Sequence, residues 1–562
     1  VNFRFEPKTV RMERPIGAAT QQAVTEGSLE LPANMPDINR IVRIEARPVV
    51  TDWEASENQV VVQGAVDMIL LYAHDETVPA AGRPPSGDIE AEAAHVEGEL
   101  LEDEPPATET REALYRYTWR RAGSFEAVLE IPGVHSQAFV DLTVRSETVE
   151  AELHPGGRGV EVEAVVAVSA QASELATATV PVKGRSFPAD AGAVETAVPV
   201  EHVLGRGTAH VSVDGALAVP PERTCRRVVH VAAVARPSQA IASPGEVTVA
   251  GVLEYQVLYV DEAGQLHAGT WQEQTPFAHT FAVPEAAAGA PVHTETRVTS
   301  VEAAPGDGGR EIRVWADVQV AVRSAAVQEL SLVESITGSE KLDVRYRTEP
   351  VAVEEWVGAA RQRAEVTGTL ELPQGNPPIE RILIDTARAR VEDVLVLEDR
   401  VVVSGQVDVE ALYVARSPGQ PVHAVEWRDA IPFEIEVSLP GAEPGLEAQA
   451  EVQVEDVALD LINRETVEAQ VRLVASVRLT RGCERSAVVE AVAVLPPDPD
   501  PPTWTFVVLQ EGDTLWKLSH RYHTDVDRIL AANPWLGDAT APLPPGRKLC
   551  IPRRAASSTL TG

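Results

Sequence analysis

His520 and His523 stand three residues apart with Asp525 close behind, a spacing that sets two imidazoles on one helix face, where a divalent metal would be held. No further ligands converge on them in sequence, so they read as a solvated helix face. Cys225, Cys483 and Cys550 are odd in number, far apart and without metal-ligand spacing, and read as reduced structural thiols, not a disulfide framework. Carboxylates are abundant, 85 in 562 residues, but a glycosidase pair depends on a separation in space that sequence does not supply. The sequence has no nucleophile elbow, P-loop, dinucleotide fingerprint or zincin motif. The chemistry that remains is binding: the expectation is a non-enzyme with no cofactor and no metal.

The composition suits that expectation. Apolar residues make up 44% and charged residues 24%, values that permit buried cores and exclude wholesale disorder. Aromatics are only 5%, and an apolar load carried by Ala and Val favours strands. At roughly 150 residues per domain the length predicts three to four domains. A net charge of −37 argues against a nucleic-acid backbone or an anionic membrane as main partner. The charge is uneven: residues 504–554 carry seven Lys/Arg against five Asp/Glu, a balance of +2 that leaves −39 to the remainder. No stretch reaches the roughly 18 apolar residues of a membrane span. Val1 to Arg14 contains no hydrophobic signal-peptide core. Together these give the expectation of a soluble, non-exported protein.

Internal repeats organise most of the chain. Leu31-Pro-Ala-Asn-Met-Pro-Asp-Ile-Asn-Arg-Ile41 recurs as Leu372-Pro-Gln-Gly-Asn-Pro-Pro-Ile-Glu-Arg-Ile382, at a constant offset of 341. Each continues to a glycine and a tyrosine, Gly64 and Tyr72, then Gly405 and Tyr413; a divergent middle copy runs from Val219-Pro-Pro to Gly251 and Tyr259. Each copy then shows Trp-x5-Phe-x6-Pro: Trp119, Phe125, Pro132; Trp271, Phe277, Pro284; Trp427, Phe433, Pro440. Aromatics repeated in register read as core anchors. Each copy closes on a period-two run, such as Val160 to Val168, Ile312 to Val322 and Val467 to Leu479, which is the pattern of a strand with one buried face. The glycine inside each strand-like Gly-x7-Tyr segment reads as a bulge or a close approach.

The expected fold is multidomain and mainly β: three tandem β-rich, sandwich-like repeat domains over residues 1–180, 181–338 and 339–495, then a linker at 496–503 and a small βααβ domain at 504–553. The first repeat carries an acidic insertion at about 75–112. From Asp88 to Glu109 it holds nine acidic residues and no basic one, and reads as a solvated loop. Pro496-Pro-Asp-Pro-Asp-Pro-Pro502 reads as an extended spacer of about 22 Å that keeps the last domain off the body.

From Trp504 onward, Gly512-Asp513-Thr514-Leu515, Asn533-Pro534-Trp535-Leu536 and Pro545-Gly546-Arg547-Lys548-Leu549-Cys550-Ile551-Pro552 mark the segment. Asp513 or Thr514 would cap a first helix, and Thr524 to Asp527 resembles a capping box for a second. At these spacings residues 505–552 resemble the LysM domain, a βααβ module. The resemblance implies a shallow groove for N-acetylglucosamine-containing glycans, formed here by Asp513, Thr514 and Leu515 facing Asn533, Trp535 and Leu536. Helix capping and turn geometry account equally well for Asp513 and Asn533. Trp535 is expected to be an exposed indole in a loop.

Leu-Pro-x3-Pro-x-Ile-x-Arg-Ile followed by Gly-x7-Tyr resembles the SPOCS domain of spore-forming Firmicutes. The middle copy departs most, with Val219-Pro-Pro-Glu-Arg-Thr-Cys-Arg-Arg-Val228 in place of the Ile-x-Arg-Ile ending. Tandem SPOCS copies followed by one LysM resemble a clostridial family of spore-envelope assembly factors. That likeness implies a mother-cell cytoplasmic protein at the forespore surface or spore coat, and a coat morphogenetic partner, a SpoIVA-like ATPase. Three readings stay open: a sporulation scaffold whose repeats and LysM bind protein, an anchor whose LysM holds peptidoglycan or a chitin-type glycan, and, least favoured, a cell-wall hydrolase.

Overall fold

A computed structural model describes residues 3–79, 108–184, 187, 190–339, 342–417, 421–446, 448–494, 503–539 and 542–552. Most of the acidic insertion and the proline spacer lie outside the described residues.

Each repeat places six antiparallel strands in the same order. The first has β1 (Phe5–Glu30), β2 (Arg40–Ser56), β3 (Gln59–Pro79), β4 (Thr108–Glu130), β5 (Phe139–Leu153) and β6 (Gly159–Lys183). The second has β7 (Gly192–Ala218), β8 (Arg227–Ser243), β9 (Glu246–Val260), β10 (Leu266–Ala282), β11 (Val292–Pro305) and β12 (Glu311–Thr337). The third has β13 (Asp343–Glu371), β14 (Ile379–Leu397), β15 (Arg400–Ala415), β16 (Val422–Ser438), β17 (Ala448–Leu461) and β18 (Thr466–Val494). In each, the second to fourth strands form a three-stranded sheet, and the sixth strand pairs with both the first and the fifth. The proline motif that precedes the second strand is a turn, and leads into strand, not helix.

The period-two runs account for the layering. Val160 to Val168, Ile312 to Val322 and Val467 to Leu479 present their buried faces to the three-stranded sheet, and each repeat closes its own core there. Tyr72 and Phe125, Tyr259 and Phe277, and Tyr413 and Phe433 sit in those cores. Trp427 is buried; Trp119 and Trp271 are half-buried against theirs. All three indoles donate to the carbonyl of the last residue of the first strand of their repeat, Glu30, Ala218 and Glu371, at 2.9, 2.9 and 2.7 Å.

The strands run far past the alternation that announced them. β6, β12 and β18 are 25, 27 and 29 residues long, and their outer halves leave the local core and meet at the centre of the molecule. There the three repeats fuse into a nine-stranded sheet, β6 touching β12 at Val182 and Leu332, and β7 touching β13 at Val200 and Glu355. Val10, Met12, Val180, Val200, Leu332 and Val353 form a cluster shared by all three repeats. A second shared cluster joins Leu71, Leu258 and Leu412, each the residue before the landmark tyrosine. The three repeats are therefore packed around a common centre and are not strung out in a line.

The C-terminal segment is the expected βααβ unit: β19 (Trp504–Val508), α1 (Leu515–Arg521), α2 (Val526–Ala532) and β20 (Lys548–Pro552). Contrary to the spacer expectation, it rests on the body. Helix α1 packs against β18, and Arg4 lies 3.9 Å from Glu511.

Candidate functional site

The six residues of the expected LysM groove divide into two groups. Leu515 is 2% exposed and belongs with Leu536 to the seven-residue core of the unit. Asn533 is buried and stitches the fold together: its Nδ2 donates to the carbonyls of Ile529 and Cys550 at 2.7 and 2.6 Å, and its Oδ1 accepts from the Cys550 N–H at 2.9 Å. Asp513 is also buried, accepting from the Gln510 N–H at 2.8 Å. Thr514 is the N-cap of α1, its hydroxyl accepting from the Lys517 N–H at 3.2 Å. A cap of this kind satisfies one of the orphan donors at a helix start.

Trp535 is half-buried, not the exposed indole expected from its loop position. It packs on the core of the unit, and the Arg547 guanidinium lies 3.7 Å from its ring centroid. Asp513 and Asn533 thus have structural work of their own, and the side chains that remain at the surface of this groove are Thr514, Trp535 and the covering Arg547. The capping box at the second helix does not form: the N-cap is Asp525, with no side-chain cap bond, and the Thr524 hydroxyl donates to the Pro552 carbonyl at 2.6 Å.

His520 lies 4.4 Å from the Trp516 ring and its Nδ1 donates to the Trp516 carbonyl at 2.9 Å, while His523 adopts a left-handed backbone (φ 52°) at the helix end.

A face that sequence reasoning missed lies on β19. Trp504, Phe506 and Val508 are 53%, 70% and 46% exposed and project from the side of the strand opposite the helices. Because Val507 and Leu509 are apolar too, Phe506 to Leu509 carries no alternation by which the wet side could be told from the dry one. The pairing of Val508 with Lys548 sets a cation beside this strip.

The body contains a second feature without a sequence signal. Glu13 of β1 meets Arg323 of β12 at 2.7 Å and Arg206 of β7 at 2.8 Å. Glu201 of β7 accepts from Arg323 and from Arg478 of β18, the latter at 2.9 Å through Nε. Burial by itself would raise both carboxyls; the surrounding guanidiniums outweigh it and hold them below the usual range. Elsewhere between the repeats, burial would raise Glu45 but Arg43 and Arg47 hold it at about 2, and burial pushes His230 down to about 3. These charges tie repeats to one another.

A mainly β assembly of repeated units with a small βααβ module, charges used for internal locking and apolar side chains left on an exposed strand, defines a multidomain binding protein. Residues 37–154 and 378–462 match the family described as SipL, SPOCS domain, and residues 507–552 match the LysM domain. In these segments the chain is similar to SipL-like proteins that combine SPOCS domains with a LysM domain. The two SPOCS matches fall in the first and third repeats, and neither covers the middle one. Comparison with curated proteins and with solved structures gives no match. The matched domains are binding modules, and they mark a sporulation-related protein with a module of the peptidoglycan-binding kind. Among the described residues no helix is long and apolar enough to cross a membrane.

Proposed function

We propose that this protein is a non-enzymatic scaffold or adaptor for spore coat or envelope assembly, acting in the mother cell at the forespore surface. In this reading the three repeats, bounded as 1–180, 181–338 and 339–495, form one binding body, and the LysM engages a coat morphogenetic protein of the SpoIVA-like ATPase class. The observation that carries it is the exposed strip Trp504, Phe506 and Val508 beside Lys548. Contiguous apolar side chains on an exposed strand suit a protein surface, which buries them, better than a hydroxyl-rich glycan alone.

The glycan reading keeps a specific support, since the LysM match itself favours glycan binding. Thr514, Trp535 and the backbone around Asp513, Leu515, Asn533 and Leu536 would then line the sugar site. Capture with the full chain separates the two. The protein reading expects retention of the coat ATPase that is lost in Trp504→Ala with Phe506→Ala and kept in Trp535→Ala. Retention on purified peptidoglycan that is lost in Trp535→Ala, with no retention of the ATPase, would overturn it.

A further inference from the structure

Strands β5, β11 and β17 are the outer partners of the long sixth strands, and none of them carries a motif that the binding function absorbs. Their registers identify equivalent positions. Thr143 lies opposite Ser169, Glu295 opposite Ala321 and Glu451 opposite Ser476. The packing of the repeats brings two of these equivalents, Glu295 of the second repeat and Glu451 of the third, to one place, together with His293. One ligand atom from each of the three side chains lies within 4.8 Å of the others. His293 Nε2 is 3.4 Å from Glu295 Oε1, and the Gln453 amide donates to Glu451 Oε1 at 2.8 Å.

We infer that His293, Glu295 and Glu451 form a site for a divalent transition-metal cation of the zinc class, which clasps the second repeat to the third. Two carboxylates and one imidazole supply the O and N donors that such a cation takes, and three protein ligands leave a fourth position for water. Bond lengths of about 2.0–2.2 Å require the donors to close in by roughly 1 Å, which exposed side chains reach by rotation. Two glutamates from different repeats face each other in a chain of net charge −37. On the second repeat Glu295 has His293 of its own strand within 3.4 Å, while Arg206 is already bonded to Glu13 and Asp141. A bound dication would neutralise the pair and tie β11 to β17. Nothing in the primary structure foretells this, because His293 and Glu451 are far apart in the chain and only inter-repeat packing joins them.

The test is calorimetric titration of zinc chloride into the chelator-stripped full chain, with magnesium chloride as the control. One saturable zinc site per chain is expected, at least 10-fold weaker in His293→Ala and in Glu451→Gln, and unchanged in His523→Ala. Zinc should raise the melting temperature of the parent and not that of Glu451→Gln, and both substituted chains should melt like the parent without metal. No saturable zinc binding, zinc binding undiminished in Glu451→Gln, loss of binding in His523→Ala alone, or magnesium binding as tight as zinc would each overturn the assignment.

Discussion

Phe433 lies directly across from Gly405 on the paired strands β16 and β15, its ring occupying the space a side chain would need. A Cβ on Gly405 would fall 2.7 Å from the ring Cζ and 2.0 Å from the Arg390 carbonyl oxygen. Gly251 with Phe277 and Gly64 with Phe125 repeat the arrangement, also as direct cross-strand pairs. The two landmarks that recur along the chain, the glycine before the tyrosine and the phenylalanine after the tryptophan, are thus the two halves of one contact.

Gly405→Ala should destabilise the third repeat by about 1–3 kcal/mol, the usual range for overpacking a filled core. Adding Phe433→Leu should not restore it, because the Arg390 carbonyl belongs to the backbone and cannot move aside. Denaturant unfolding of the single and double variants checks this, and full recovery in the double variant would place the whole conflict on the ring.

Trp427→Ala should cost about 3–5 kcal/mol, as for a buried large aromatic. Trp119→Ala and Trp271→Ala should cost less, since those indoles are half-buried and each loses chiefly its packing and one hydrogen bond to a strand-end carbonyl. Equal losses at all three positions would contradict this ranking.

Glu13→Gln should loosen the first repeat from the second by leaving Arg323 and Arg206 short of their carboxylate partner. Removing one side of a buried pair typically costs about 3–5 kcal/mol. Replacing Glu13 and Arg323 together by apolar residues of similar volume should be far milder. A double-mutant cycle on thermal unfolding reads the coupling, and a coupling near zero would show that the pair is not a lock.

Acid should weaken the contacts between repeats in two stages. His230 has an ordinary value of 6.5 when unfolded and is pushed down to about 3 by burial, so the unfolded chain takes up its proton first. That contribution is complete above about pH 6.5 and is lost progressively as the pH falls toward 3. For Glu45 burial acts upward, but Arg43 and Arg47 prevail and move it from 4.5 to about 2; its contribution is present above 4.5 and is lost between there and about 2. His230→Gln should therefore flatten the stability profile between pH 6.5 and 5, where His202 and His423, both also lowered by burial, still contribute slope of the same sign. Chemical unfolding at stepped pH measures it; an unchanged slope would exclude His230.

Within the LysM, Leu515→Ala should melt the unit at a cost of about 2–5 kcal/mol, since the core it leaves has only six other fully buried apolar residues. Trp535→Ala should leave the unit folded and change only what its surface binds. Thermal melts of the full chain with tryptophan-independent circular dichroism separate the two outcomes. Folded LysM in Leu515→Ala would contradict its place in the core.

The mainly β class, the threefold repetition, the long alternating strands and the βααβ tail were all legible in the residues. Each is a local pattern: apolar alternation such as Ile312 to Val322, turn chemistry such as Pro545-Gly546, and spacing repeated at an offset of 341. The capping role of Thr514 and the core placing of Phe125, Phe277 and Phe433 were legible for the same reason. The exposed side of β19 was not, because apolar residues occupy both phases of that strand. Leu515 and Asn533, read as groove residues by likeness, turned out to be interior, because a position in a motif does not say which way a side chain faces.

What only the tertiary structure decided is how the repeats meet. The outer halves of β6, β12 and β18 could have ended with their local cores; pairing at Val182, Leu332, Val200 and Glu355 joins them into one sheet. Glu13 meets Arg323 and Arg206 of the second repeat, Glu201 meets Arg478 of the third, and Glu451 of the third comes up to His293 and Glu295 of the second; no spacing along the chain encodes these meetings. Strand alternation follows from short-range sterics and burial, which act residue by residue. The choice of a partner strand or counter-ion hundreds of residues away depends on the whole surface each repeat presents, and that surface exists only once the repeats have folded.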